Sequence, residues 1–222
     1  MKSLIKKIKK VTKALLDMGY RADEAVSFAL KALFENDEML AKKVIANDDK
    51  LDNLENKIDR MCLNIFALNQ PVAIDLRSVL MVSKIDTDYE RIGDLACIIA
   101  DKAATIAKKA KTYKLYPEEK IKNLGVMIQK SLKETIECYI QEDVDMAKEI
   151  IFKDTEINEL HNEIVKDIIK KAAEDVENLR FHLDIIDVIK CLERIGDHLS
   201  NICEDVIFIE TGEIVKHKRI VS

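Results

Sequence analysis

A chain of 222 residues, 48% hydrophobic and 35% charged, is long enough to bury a sizeable core and too apolar to be disordered. Five glycines, two prolines and no tryptophan leave too few turn formers for a β-sandwich and point to long helices. A net charge of −5 supplies no global basic field for nucleic acid, and no apolar run approaches the ~20 residues of a membrane span.

The first helix is predicted over 3–35. Its opening, MKSLIKKIKKVTKALL, keeps Leu4, Ile5, Ile8, Val11 and Leu15 at helical spacing among lysines. The lysine run reads as a solvated helix face, or alternatively as a membrane-surface or targeting helix. Gly19 is a point where this helix can kink or break. A second helix, 38–69, starts behind Asp37, whose carboxylate can cap free first-turn N–H groups. It carries Asp48 and Asp52 four apart, with Glu55 one turn on. After Pro71 a third helix, 73–110, places Arg77 near its start and then reads DTDYERIGD, stacking Asp86, Glu90 and Asp94 along one face. The polar stretch AKKAKTYKLYPEEK is the one convincing linker. It divides the chain into units 1–112 and 113–222.

Three further helices follow, over 118–141, 144–173 and 177–210. Asp143 is placed to cap the second of them, which carries Asp154, Asn158 and His161. The last begins near Arg180 and repeats ERIGD, letter for letter, at Glu193–Asp197. The tail, KHKRIVS, is short, basic and expected to fray.

The pentapeptide belongs to a larger duplication. Shifted by 103, Leu76–Ile99 lies over Leu179–Ile202 with Leu76, Arg77, Leu80, ERIGD and Ile99 recurring. Shifted by 106, the stretch from Asp37 lies over that from Asp143. The change of shift means that three residues are missing from the second copy, between Ile164 and Leu179, where a connection tolerates loss. The expected fold is therefore all-α: two tandem, duplicated three-helix bundles, six long helices in all.

Stacked carboxylates repel, and a mid-helix glycine costs about 1 kcal/mol against alanine. Keeping Gly93 and Gly196 in both copies points to a helix or ligand approaching closely there, with Arg91 and Arg194 available to screen the acids. Carboxylates from two helices on a common face suit hard cations such as magnesium, calcium, manganese or iron. Arg77 and Arg180 hold equal places, suited to an acid of the second helix or to an anion or partner. Five scattered cysteines without a CxxC pair argue against a thiolate zinc site, and their odd number fits a reducing cytoplasm. The chain lacks a P-loop, GxGxxG, HExxH, GxSxG and the Glu-x-x-His pairs of di-iron oxidases, so no enzyme class is indicated.

NQPVAIDLR followed by DYERIGD, the second LERIGDHLSNI and the duplication itself resemble the PhoU family of bacterial and archaeal phosphate-transport regulators. The resemblance covers essentially the whole chain. It implies a cytoplasmic, often homodimeric adaptor between the ATPase subunit of a phosphate ABC transporter and a phosphate-sensing histidine kinase. Such an adaptor holds the phosphate-starvation response off when phosphate is plentiful. It also implies metal ions, divalent or trivalent, in some members iron clusters and elsewhere magnesium, manganese, calcium or zinc. Carried over by motif, the ligands are Asp48, Asp52, Glu90 and Asp94 in the first copy, and Asp154, Glu193, Asp197 and Asn201 in the second. Asn158 departs from the pattern, as does Ile98, which stands opposite Asn201. The alternative is a metal-binding or metal-sensing helical protein serving another transporter. A metallohydrolase has least support, since no nucleophile or positioned base is evident.

Overall fold

The computed structural model describes residues 2–109 and 114–215; Met1, part of the linker and the basic tail lie outside the described residues. The described chain is helical: α1 (Lys2–Glu35), α2 (Glu38–Ile45), α3 (Asp49–Asn69), α4 (Ala73–Ala107), α5 (Glu118–Gln141), α6 (Val144–Glu174), a 3₁₀ turn (Val176–Asn178) and α7 (Leu179–Thr211). Both anticipated caps form. Asp37 accepts from Leu40 N at 2.9 Å, and Asp143 accepts from Asp145 N at 3.0 Å and Met146 N at 2.9 Å.

Two expectations need correction. The second helix of the first copy is not continuous, because a turn at Ala46–Asp48 divides it into α2 and α3. There Asn47 N bonds Val44 O, Asp48 N bonds Ile45 O and Leu51 N bonds Asp48 O, three residues back instead of four. The Asn47 side chain also donates to Lys43 O at 2.9 Å, the local competition that makes asparagine a poor helix residue. In the second copy Lys153 holds that place and α6 runs unbroken. Conversely, α1 passes Gly19 without interruption. A Cβ at Gly19 would lie 2.9 Å from Tyr89 Cζ, so the glycine makes room for a buried ring.

The duplication is visible in the connections. Asn69 corresponds to Asp175 by the shift of 106 and Ala73 to Val176 by the shift of 103, so the residues missing from the second copy are the counterparts of Gln70, Pro71 and Val72. Helices α1, α3 and α4 pack together, as do α5, α6 and α7. Then α4 packs on α7, α1 touches α5, and one apolar core runs through both bundles. Lys84 meets Asp205, Asp88 meets His198 at 2.8 Å, and Lys102 meets Asp187 at 2.8 Å, so α4 and α7 are antiparallel. By the shift of 103, Lys84 corresponds to Asp187 and Lys102 to Asp205. The seam thus keeps the same two ion pairs at pseudo-equivalent places, with their charges exchanged.

Arg77 and Arg180 do not reach the second helices. Arg77 Nε donates to Ile209 O at 2.9 Å, satisfying a carbonyl at the end of α7. Arg180 lies 3.4 Å from Asp184 on its own helix.

Candidate metal centre

In each bundle the second and third helices bring their acids to a common seam, and the shared spacing of the two copies explains how. Leu51 and Ile157 are equivalent residues. A Cβ on Gly93 would overlap Leu51 Cδ1, and one on Gly196 would sit 3.4 Å from Ile157 Cγ2. Each ERIGD glycine therefore seats the matching aliphatic side chain of the neighbouring helix, so close approach here is helix on helix. That approach carries the flanking acids together.

In the first bundle, Asp48 stands at the α2–α3 turn and accepts from Cys97 Sγ at 3.3 Å. Burial raises the Asp52 carboxyl above its ordinary value, and the charges of Asp48, Asp94 and Asp49 add to this. Glu90 is likewise raised by burial and then by Asp94, with Arg91 working in the opposite direction. Arg91 lies 3.4 Å from Glu90 Oε2 and 3.3 Å from Asp94 Oδ2, the screening anticipated from its position. Glu90 Oε2 is nevertheless buried without a hydrogen bond. Asp48, Asp52, Glu90 and Asp94 are thus brought within mutual electrostatic reach, with Glu55 beside them.

In the second bundle, Asp154 is pushed up to about 6, chiefly by burial and then by the charges of Asp197 and Glu193. Asn158 Nδ2 donates to Asp154 Oδ2 at 2.9 Å. Asp154 Oδ1, Asn158 Oδ1 and His161 Nε2 are buried and have no hydrogen-bond partner among the described residues. A Cβ at Gly196 would lie 3.0 Å from Asp154 Oδ1, so this glycine also leaves space for the carboxylate. Among the described residues Arg194 forms no ion pair, and no cation offsets these acids as Arg91 does in the first bundle. Asn201 is placed elsewhere, on the wall of a cavity of about 450 Å³ between α4 and α7, with Lys84, Asp88 and Glu204.

The donors fit a hard cation in kind: carboxylate and amide oxygens, several of them buried and unpartnered. Among the described residues, no three His, Cys, Asp or Glu side chains converge closely enough to hold an ion as they stand.

One buried acid is not marked as such by the charge pattern of the sequence. Asp86 is fully buried, and among the described residues neither carboxylate oxygen has a hydrogen-bond partner. Burial, then Asp59 and Glu55, raise it to about 7. A signal was present: the equivalent residue is Ile189, also fully buried, which marks the position as core-facing.

Known proteins share this architecture. The PhoU domain matches the chain twice, at residues 15–103 and 121–206. The phosphate-specific transport system accessory protein PhoU homolog of Aquifex aeolicus is 33% identical over 217 residues, covering 98% of this chain and 97% of that protein. The crystal structure of PhoU from Pseudomonas aeruginosa superposes with a TM-score of 0.89 at 32% identity, covering 93% of this chain and 98% of the other. That of the phosphate transport system regulatory protein PhoU from Streptococcus pneumoniae gives 0.87 at 27% identity, covering 96% and 99%.

Proposed function

The chain belongs to the PhoU family, and from that premise we propose that it is an adaptor that represses phosphate uptake and the phosphate-starvation response. It links the ATPase subunit of a phosphate ABC transporter to a sensor histidine kinase, and it acts as a homodimer in the cytoplasm. The observation that carries the reading is the match of both halves of the chain to the PhoU domain, with relatives named as accessory and regulatory proteins of phosphate transport. It is an accessory protein, not an enzyme. No described helix is long and apolar enough to cross a membrane. An adaptor of this kind works by binding one state of its partner better than another. Deleting the gene should switch on phosphate-starvation genes in high phosphate. Normal repression in the deletion strain would refute the proposal.

We further propose that the two carboxylate seams hold hard metal ions, iron among the candidates. Asp48, Asp52, Glu90 and Asp94 would serve the first bundle, and Asp154, Glu193 and Asp197 the second. Bound metal would neutralise like charges packed at two helix seams and change the charge each bundle presents to a partner. Support comes from the buried oxygens of Asp154 and Glu90 that lack a hydrogen bond among the described residues, and from burial and then the neighbouring acids of each seam, which raise both groups. Asn201 faces a separate cavity and contributes least support. Elemental analysis of protein purified without chelator tests the assignment. A Glu90→Gln/Asp94→Asn variant and an Asp154→Asn/Asp197→Asn variant should each lose metal, and equal content in all three proteins would remove the assigned sites.

A further inference from the structure

The opening helix carries a feature that neither the fold nor the carboxylate seams use. Helix α1 has 34 residues and its counterpart α5 only 24, and both end at equivalent places, Glu35 and Gln141. The first ten residues of α1, Lys2–Val11, therefore have no counterpart in the second bundle. Most of the lysine run lies in this extension. Lys6, Lys9, Lys10 and Lys13 are exposed, and their spacing sets them along one helix face. None of the four makes an ion pair among the described residues, whereas Lys31, Lys42, Lys122 and Lys148 on other exposed faces each meet a carboxylate. No acid interrupts the stripe before Asp17.

Beside the stripe stands an apolar group. Lys7 Nζ donates to Asn69 Oδ1 at 2.9 Å, which fixes the start of α1 against the α3–α4 connection. On and around that connection, Leu68 is 71% exposed and Val72 72%, and Ile74 and Ile5 are nearly half exposed. Glu142 and Glu210, which line a hollow with Ile8 and Thr12, belong to the second bundle, and Asp75 lies in the first turn of α4. Unpaired lysines next to aliphatic side chains, on the rim of a bundle, are the composition of a membrane-surface helix. Long lysine stems can lie along apolar surface while their ammonium groups reach lipid phosphates. Aliphatic side chains standing on a turn between two helices reach the headgroup boundary without needing a partner of matching shape.

We propose that this end of the first bundle docks on an anionic lipid surface, through Lys6, Lys9, Lys10 and Lys13 with Val72, Leu68 and Ile74 entering the interface. Docking would hold the protein at the bilayer with one bundle end against lipid, leaving both carboxylate seams and the α4–α7 cavity free for proteins. The inference goes beyond the adaptor reading and does not depend on it, because vesicle binding needs no protein partner.

The test is flotation of the full chain with vesicles of phosphatidylcholine alone and with about 30% phosphatidylglycerol, at low and high salt. The protein should float with the anionic vesicles at low salt and be released by high salt. At about fivefold per lysine, replacing Lys6, Lys9, Lys10 and Lys13 together with Gln should weaken binding by about two to three orders of magnitude. Val72→Ser should weaken it severalfold while leaving the salt dependence unchanged. Lys166→Gln/Lys170→Gln, exposed lysines on α6, should bind as the parent does. All of these side chains are exposed, and circular dichroism checks that each variant is folded. Binding to neither vesicle, equal binding to both, or an unchanged four-lysine variant would overturn the proposal. So would salt-sensitive capture of an acidic polypeptide by a protein that ignores anionic vesicles, which would make the stripe a protein-binding surface.

Discussion

Asp86 offers a measurement in which one side chain reports on the interior of the first bundle. It is fully buried between α3 and α4, with Asp59, Glu55 and Cys62 as titratable neighbours and, among the described residues, no hydrogen-bond partner for either oxygen. Its carboxyl rises from 3.8 to about 7. The folded protein therefore holds a proton that the unfolded chain has released, and stability falls as pH rises from about 4 to about 7. At 1.36 kcal/mol per pH unit the span corresponds to ~4 kcal/mol, and relaxation around the charged form lowers the expected effect to about 2–4 kcal/mol. Asp86→Asn keeps the shape and polarity of the neutral acid and removes the charge. Urea unfolding of both proteins at pH 4.5, 6 and 8 isolates the contribution, because Glu90, Asp154 and the other acids are common to the two. The variant should match the parent near pH 4.5 and exceed it by about 2–4 kcal/mol at pH 8. Equal stability at pH 8, or the same difference at every pH, would show that the carboxyl is solvated or partnered in solution and refute the reasoning.

Other consequences follow from the packing and the seams. Gly19→Ala gains about 1 kcal/mol of helix propensity but drives a Cβ into the buried Tyr89 ring, so a net loss of about 1–2 kcal/mol is expected in urea unfolding. Lys102→Met strips Asp184, 2% exposed, of its closest cation among the described residues and leaves Arg180 at 3.4 Å; a loss of about 2–3 kcal/mol is expected. Asp143→Ala removes a cap that serves two N–H groups and should cost about 1 kcal/mol, a loss that Asp143→Asn should largely avoid. Because Asp154 is raised to about 6, metal held by the second seam as proposed should be lost as pH falls below that value, with Asp154→Asn abolishing the step. Metal content measured after equilibration at pH 5 and pH 8 checks this.

Much of the architecture is legible in the sequence, and for a simple reason. Helical periodicity, capping aspartates and an internal duplication are local or one-dimensional signals, and duplicated sequence reports its own boundaries. Helix α5 runs over the span predicted from 118 to 141, and the missing residues fall in a connection. The pairing of Asp48, Asp52, Glu90 and Asp94 is accessible because i,i+4 spacing fixes a common face on each helix. What the sequence could not decide depends on which faces meet. The ERIGD glycine could serve a ligand or a helix, and only packing shows Leu51 and Ile157 against it. Arg77 reaches across to a carbonyl of α7 more than a hundred residues away, a partner no local pattern announces. The exchange of charges between Lys84–Asp205 and Lys102–Asp187 emerges only when α4 and α7 are laid antiparallel. Likewise Asp86 is one more acid of a charge run in sequence, and a buried, unpartnered carboxyl in the fold. Sequence alone determined that the chain is two copies of one helical unit, because periodicity is written along it. The tertiary structure decided which charges are paired, buried or left free, because those properties belong to the distances between helices.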